Sequence, residues 1–150
     1  MLHLKKKSLV ILLITITVFF PKLSFTKEYT NLTVFTAQNK ANFLVEIAKN
    51  SKERKKGLMN RTTLHREAGM LFVFSKERNI SIWMKNTYFP LDIIFISKNK
   101  IIKKIIESAK PLEEKIYSSD SPARYALEVN AGVVREYNIE IGNKVYFEKY

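Results

Sequence analysis

The sequence predicts an α+β, β-rich domain with a compact barrel-like or rolled, mostly antiparallel sheet and two short helices. Short apolar or alternating segments recur along the chain with turn residues between them, a pattern typical of strands in a small rolled sheet. Only two segments have the polar start and the length of a short helix. No internal repeat, low-complexity segment or Pro/Gly/Ser-rich linker separates these elements, so one domain is expected.

The strands are predicted from apolar alternation and from apolar runs. Phe43, Val45 and Ile47 alternate with their neighbours, which is the period of a strand with one buried face. The run 90–97 is almost wholly apolar and predicts a strand covered on both faces. Asn99 suits the turn that follows, because Asn tolerates positive φ. Strands are predicted at 32–36, 43–48, 70–74, 80–84, 90–97, 101–106, 124–129 and 145–148, with a polar loop over 108–122.

Two short helices are predicted from their capping residues. Ser51 can cap a helix over 52–59, and Asn130 can cap another over 131–137. Arg54 lies three residues after Ser51, so no full capping box is expected at the first helix.

Residues 1–26 have the pattern of a secretory signal peptide. Three lysines, 5–7, precede an uncharged stretch over 9–20, which is shorter than the roughly 20 apolar residues of a membrane span. We expect cleavage near Thr26/Lys27 and a periplasmic or secreted domain over 27–150. The alternative is an uncleaved leader that anchors the domain in the inner membrane, since tilt can extend a short span.

Composition narrows the chemistry and the partners. Cysteine is absent, so neither a disulfide nor a thiolate is available. The leader contains four lysines and no acid, so the formal net charge falls from +12 for the whole chain to +8 for the mature domain. Nucleic acid is a poor partner for an exported protein without an aromatic-basic motif. The dispersed lysines fit either plain solvated faces or attraction to an anionic envelope surface.

Four sequence blocks stand out and together resemble a known family. The blocks are RKKGLMNR at 54–61, GMLFVF at 69–74, WMKNTYFPLDI at 83–93 and ARYALEVNAG at 123–132. In order and spacing they closely resemble domain-of-unknown-function family 192, over about 43–147. Members of that family commonly carry a signal peptide or a membrane anchor. The resemblance implies a compact β-rich fold and an uncharacterised function, with no established reaction, cofactor or ligand.

The charged and polar residues of these blocks form the candidate ligand-binding set. Asp92 is the most unusual, because alternation places it on the same strand face as Ile94 and Ile96. A carboxyl group there must be exposed at the strand end or paired, either in a structural contact with the 85–89 turn or at a cleft edge. The candidates are Arg54, Arg61, Lys85, Asn86, Thr87, Asp92, Arg124 and Glu128.

Two functions are compatible with this set. The first is a non-enzymatic binding or interaction module with a polar, partly basic cleft, whose partner is an anionic envelope ligand or another envelope protein. Converging cations would favour a carboxylate or phosphate, unless Arg124 and Lys85 merely neutralise Glu128 and Asp92. The alternative is a hydrolase of an envelope glycan that uses Asp92 and Glu128 as paired acids.

No cofactor is expected, but the methionines offer a metal alternative. Thioethers bind Cu(I), and Met59, Met70 and Met84 with His65 are the residues that would hold it. Core packing is the competing interpretation, because Met beside aromatic residues usually fills space. The predicted buried core contains Phe72, Phe74, Trp83, Ile93, Phe95 and Leu127.

Overall fold

A computed structural model describes residues 27–148, so the predicted signal peptide lies outside the described residues. None of the helices in this range has the length and apolarity to cross a membrane. In chain order the elements are β1 (Tyr29–Phe35), β2 (Lys40–Ala48), α1 (Ser51–Lys56), β3 (Ala68–Arg78), β4 (Ser81–Ile82), β5 (Leu91–Ile96), β6 (Ile102–Ala109), β7 (Tyr117–Ser118), β8 (Ala123–Asn130), α2 (Val133–Glu136) and β9 (Lys144–Phe147).

Seven strands form one curled sheet in the order β6-β5-β8-β3-β2-β1-β9. Every neighbouring pair is antiparallel except β2–β3, and β4 and β7 make a separate two-stranded ribbon. The two edge strands approach each other at one end, where Ile101 bridges Lys144 and the amide of Ile102 donates to the carbonyl of Asn143 at 3.0 Å. The predicted fold class, a β-rich and mostly antiparallel rolled sheet with two short helices, is confirmed.

The sheet buries apolar side chains on both faces. One face, called here the α2 face, packs Leu127 and Val129 against Val133 and Val134 of α2. The other, called here the α1 face, packs Met70, Phe72 and Phe95 with Leu58, which follows α1, and with Ile82 of β4. Because side chains alternate along β8, Glu128 lies on the α1 face between two residues that point to the α2 face.

Both helix starts differ from the prediction. Asn50, and not Ser51, caps α1, and it forms a complete capping box with Glu53. The second helix has Gly132 at its N-cap position and no side-chain cap of its own. Asn130 instead donates its side-chain amide to the carbonyls of Leu64 and His65, so it ties the loop before β3 to the end of β8.

Several strand details also differ. The loop predicted over 108–122 contains β7, whose two residues pair with β4. A strand of two residues is too short to show apolar alternation in the sequence. In the β5–β6 turn the positive φ falls on Lys100 at 61° and not on Asn99. Trp83 is 37% exposed, which contradicts its placement in the core, and Phe74 is half-buried. The other four predicted core residues, Phe72, Ile93, Phe95 and Leu127, are buried as predicted.

Replacing the largest fully buried side chain should measure the contribution of the α1-face core. Phe95 is 0% exposed, so Phe95→Ala should lower the free energy of unfolding by about 3–5 kcal/mol, the range for deleting a buried aromatic ring. Urea unfolding measures this loss. Ile116→Ala is the control, because this 52% exposed side chain should change the free energy of unfolding by no more than about 0.5 kcal/mol. Equal losses in the two variants would contradict the packing described here.

Candidate functional site

A pocket of about 230 Å³ opens on the α1 face of the sheet. Its floor is formed by β3 and β8, one wall by α1 and the turn after it, and the other wall by β4 and the residues that follow. The lining residues are Arg54, Lys55, Lys56, Gly57, Leu58, Met59, Phe72, Phe74, Ser81, Ile82, Trp83, Thr87 and Glu128.

Glu128 is the acidic residue of this lining. Its side chain is 4% exposed, and no hydrogen bond to its carboxyl group forms within residues 27–148. Burial raises the pKa of Glu128 to about 8, and the positive charge of Arg61 opposes this rise only in part. At neutral pH the group is therefore mostly protonated, and it can donate one hydrogen bond as well as accept others.

Arg61 forms its ion pair with Glu46 and not with Glu128. Its guanidinium contacts the carboxylate of Glu46 at 2.6 Å, and Lys27 contacts the same carboxylate at 3.0 Å. Glu46, Met70 and Glu128 form one cross-strand row, so the two acids lie two strands apart, about 10 Å. Glu46 is thus neutralised by two cations, whereas Glu128 has no ion pair.

Helix α1 supplies a basic wall. Arg54 donates to the carbonyl of Val73 at 2.9 Å and to that of Lys49, and its guanidinium lies 4.9 Å from the centre of the Phe74 ring. Lys55 and Lys56 are exposed, and within residues 27–148 neither of them has a carboxylate at ion-pair distance. The wall therefore presents positive charge that no acid of the described chain neutralises.

Gly57 allows α1 to lie directly on the sheet. Its φ is +47° with ψ at −137°, a conformation that side chains disfavour. A Cβ added there would lie 3.2 Å from Cζ of Phe72, so the Phe72 ring or the helix end would have to shift by a few tenths of an ångström. The close contact places the α1 lysines beside the floor of the pocket.

The opposite wall is fixed by a tight turn over 84–87. The amide of Thr87 donates to the carbonyl of Met84 at 3.1 Å, and Asn86 has a φ of 54°, the third-position geometry of a type II turn. Thr87 is buried and lines the pocket. Lys85 lies outside the lining, where its ammonium is 3.4 Å from Glu114 and 5.3 Å from the Trp83 ring.

Asp92 lies on the other face of the sheet. It pairs with Val129 across β5–β8, so its side chain points to the α2 face while Glu128 points to the α1 face. Its two oxygens accept from the amides of Ser108 and Val134, each at 2.9 Å. The paired-acid prediction for Asp92 and Glu128 is therefore wrong: the sheet separates the two groups, and Asp92 binds backbone amides.

Arg124 also lies outside the pocket lining. It donates to the carbonyl of Ser75, and its Nε is buried without a hydrogen-bond partner in the described part of the chain. Neither Arg124 nor Lys85 forms an ion pair with Glu128 or Asp92 within residues 27–148. Of the predicted set, the pocket lining contains Arg54, Thr87 and Glu128, so the predicted cations do not converge on it.

The residues of the copper alternative do not line a common cavity. Met84 is fully buried in the core of the α1 face. Met59 lines the 230 Å³ pocket, whereas Met70 lines a separate cavity of about 720 Å³ beyond Gly57. His65 accepts from the amide of Glu67 at 3.4 Å and lines a third groove, on β1 and β2. Within residues 27–148, His and acidic side chains form no group of three that could hold a metal.

Sequence reasoning missed part of the pocket. Lys55, Lys56 and Met59 belong to the first motif block, but their place beside β8 depends on how α1 lies on the sheet. Trp83 is predicted in the core but lines the pocket, and it directly precedes a polar turn. That neighbour is the one sequence signal that favours a rim position for Trp83.

Comparison with known proteins places the chain in an uncharacterised group. The family model DUF192, described as Uncharacterized ACR, matches residues 33–147. A solved structure of a candidate transcription regulator from Sinorhizobium meliloti 1021 is 36% identical, with a TM-score of 0.79, and the match covers 81% of this chain and 95% of that one. A protein of unknown function from Novosphingobium aromaticivorans DSM 12444 is 35% identical, with a TM-score of 0.77 and coverage of 79% and 84%.

No curated protein matches the chain. The Sinorhizobium meliloti chain consists of little besides the matching domain, since 95% of it is covered. That domain therefore folds on its own, and experiments on residues 27–150 are justified.

The role of Asp92 can be tested against a surface acid. Asp92→Asn turns one acceptor into a donor that faces an amide, so it should lower the free energy of unfolding by about 2–4 kcal/mol. Asp120→Asn is the matched control, because that carboxylate is exposed, contacts only the Lys104 and Ser118 side chains among residues 27–148, and contributes little to stability. Urea unfolding of both variants gives the comparison. Equal stability of the two variants would show that the Asp92 contacts do not support the fold.

The raised pKa of Glu128 predicts a specific pH dependence of stability. Between its ordinary value of 4.5 and its folded value of about 8, the folded protein holds a proton that the unfolded chain has lost. The free energy of unfolding should therefore fall as pH rises through this window, by at most about 1.4 kcal/mol per pH unit. Below the window both states are protonated, and the contribution is fully present.

Glu128→Gln isolates this effect, because glutamine does not titrate. Its profile of unfolding free energy against pH should lack the decline that the wild-type profile shows in this window. Parallel profiles for the two proteins would contradict the assignment of the proton to Glu128.

Proposed function

The chain belongs to the DUF192 family of uncharacterised proteins, and this membership assigns it no reaction. From the geometry of the pocket we propose that the domain is a non-enzymatic binding module. Its ligand is a small molecule with an anionic group, held in the pocket between α1, β4 and β8. We place the module in the cell envelope, because the leader has the pattern of a secretory signal peptide.

The observation that carries this proposal is the unpartnered carboxyl group of Glu128 at the pocket floor. Glu128 lines the pocket, and its carboxyl group has no hydrogen bond within residues 27–148. A ligand oxygen at the floor would accept a hydrogen bond from the protonated carboxyl group. Protonated carboxylic acids of this kind serve as hydrogen-bond donors in other binding sites.

The charge of the pocket favours an anion. Arg54, Lys55 and Lys56 contribute three positive charges, and the carboxyl group at the floor is mostly neutral at pH 7. Arg54 is fixed by backbone carbonyls and by Phe74, so it acts mainly through its field. The two exposed lysines are free to move onto a carboxylate or phosphate of the ligand, where they would form charge-assisted hydrogen bonds.

The size and walls of the pocket favour a ligand no larger than one ring. A volume of about 230 Å³ is below the range of a drug-sized site, about 300–1,000 Å³. Phe72, Phe74 and Trp83 offer apolar surface beside the polar floor. An acidic sugar combines a ring face with a carboxylate, so it fits this combination of walls.

The geometry does not favour hydrolysis by paired acids. Asp92 is on the opposite face of the sheet from Glu128. The acid nearest in the cross-strand row, Glu46, is bound by Arg61 and Lys27 and is not available as a base. Glu128 alone can donate a proton or a hydrogen bond, which suits recognition.

Matched sugars test the proposal directly. N-acetylmuramic acid and glucuronic acid should raise the unfolding temperature of residues 27–150, whereas N-acetylglucosamine and glucose, which lack the carboxylate, should not. At about 100 times Kd the stabilisation should be about 2.7 kcal/mol, which appears as a shift of several degrees. Stabilisation by the neutral sugars to the same extent would refute the anion preference.

Variants locate the binding to the pocket. Lys55→Gln/Lys56→Gln should weaken binding of the acidic sugar at least about tenfold, since two charge-assisted contacts are lost. The charge-matched control is Lys98→Gln/Lys103→Gln, on the β5–β6 hairpin, which contributes no residue to the lining. Wild-type affinity should fall above pH 8 as Glu128 loses its proton, and that of Glu128→Gln should not. Unchanged binding in the Lys55/Lys56 variant would overturn the site.

A further inference from the structure

A second surface of the domain combines lysines with exposed aromatic rings. Phe35 of β1 pairs with Lys40 of β2 on one side and with Lys144 of β9 on the other, so these three side chains form one cross-strand row. Tyr146 lies on the same face in the adjoining row, opposite Thr33. Phe35 is 39% exposed and Tyr146 is 53% exposed. We call Phe35, Lys40, Lys100, Lys144 and Tyr146 the β1 patch.

The positive charge of the β1 patch is not neutralised. Within residues 27–148, no carboxylate lies at ion-pair distance from Lys40, Lys100 or Lys144. Within β1, β2 and β9 the one acid is Glu46, at the far end of β2, where Lys27 and Arg61 already bind it. Exposed Glu148 follows directly after β9, and no lysine of residues 27–148 lies at ion-pair distance from it. Three lysines on one small area therefore repel one another and favour an anionic partner.

The lysines also lie over the Phe35 and Tyr146 rings, which affects what these rings can bind. The ammonium of Lys40 lies 5.2 Å from the centre of the Phe35 ring, and that of Lys100 lies 5.3 Å from the centre of the Tyr146 ring. Nucleobases bind single-strand proteins by stacking on free ring faces. Here a lysine ammonium lies over each ring, so a stacking base would compete with it for that ring face.

We propose that the β1 patch docks the domain on an anionic lipid bilayer. In this arrangement the ammonium groups of Lys40 and Lys144 contact lipid phosphates, while Lys100, which donates to the carbonyl of Phe147 at 2.7 Å, adds its positive field. The Phe35 ring and the amphipathic Tyr146 side chain reach the boundary between headgroups and acyl chains. Each lysine near an anionic leaflet contributes about 1 kcal/mol of attraction. The surface is separate from the pocket of the proposed ligand and does not depend on that ligand.

Vesicle binding by residues 27–150 tests the proposal without the hydrophobic leader. The domain should sediment with vesicles of phosphatidylcholine mixed with phosphatidylglycerol, and this binding should weaken as salt is raised. It should bind vesicles of phosphatidylcholine alone far more weakly. Equal binding to both vesicles would overturn the electrostatic part of the proposal, and no binding to either would overturn it entirely.

Variants assign the binding to the β1 patch. Lys40→Gln/Lys144→Gln should weaken binding to the anionic vesicles about 25-fold, the effect of two lost lysine contacts. Lys76→Gln/Lys110→Gln removes the same charge from exposed positions on other strands and loops, and it should weaken binding much less. Tyr146→Ala should weaken binding while the salt dependence stays, because it removes apolar contact and no charge. Circular dichroism of each variant confirms that it is folded.

Two further results would overturn the proposal. Equal weakening by the two double variants would show that net charge, and not the β1 patch, drives binding. Binding of an oligothymidylate that requires Lys40 and Lys144, with no vesicle binding, would assign the patch to single-stranded nucleic acid instead.

Discussion

The buried carboxyl group of Asp92 connects three segments that are distant in sequence. It extends from β5, the second strand of the sheet, and accepts from Ser108 in β6 and from Val134 in α2. The register of β5–β6 shifts at this point, and Ser108 has a φ of 51°, so the carboxyl group holds a bulge that would otherwise leave an amide unpaired. The same group supplies the cap that α2 lacks. The position of α2 over the α2 face of the sheet therefore depends on this one side chain.

Asp92 and Glu128 show two opposite outcomes for an acid placed in a strand. Each lies among apolar neighbours, and each is almost inaccessible to solvent. Asp92 faces backbone amides, which satisfy both of its oxygens. Glu128 faces a pocket, where burial raises its pKa and no group of residues 27–148 donates a hydrogen bond to it. The hydrogen-bonded arrangement of Asp92 stabilises the fold. The arrangement of Glu128 leaves a buried carboxyl group that a ligand can hydrogen-bond.

The sequence predicts the elements well because each depends on local patterning. The apolar run of β5 and the alternation in β2 were sufficient to place those strands, and Asp92 was recognisable as an acid that needs a partner. The partners of Asp92 were not predictable, because Val134 lies 42 residues away and Ser108 lies across a bulge. The parallel β2–β3 pair and the insertion of β8 between β3 and β5 are likewise set by long-range packing. The pocket followed only from that topology.

The longest motif block, from Trp83 to Ile93, specifies the scaffold more than the chemistry. Met84 fills the core, and Asn86 supplies the positive φ of the turn. Asp92 holds the bulge and α2 on the opposite face from the pocket. The groups that can meet a ligand come mainly from α1 and from Glu128 in β8, and the block contributes Trp83 and Thr87 to the wall between them. In this fold the most distinctive sequence therefore builds the frame, whereas Glu128, buried and without a hydrogen bond within residues 27–148, lies outside that block at the floor of the pocket.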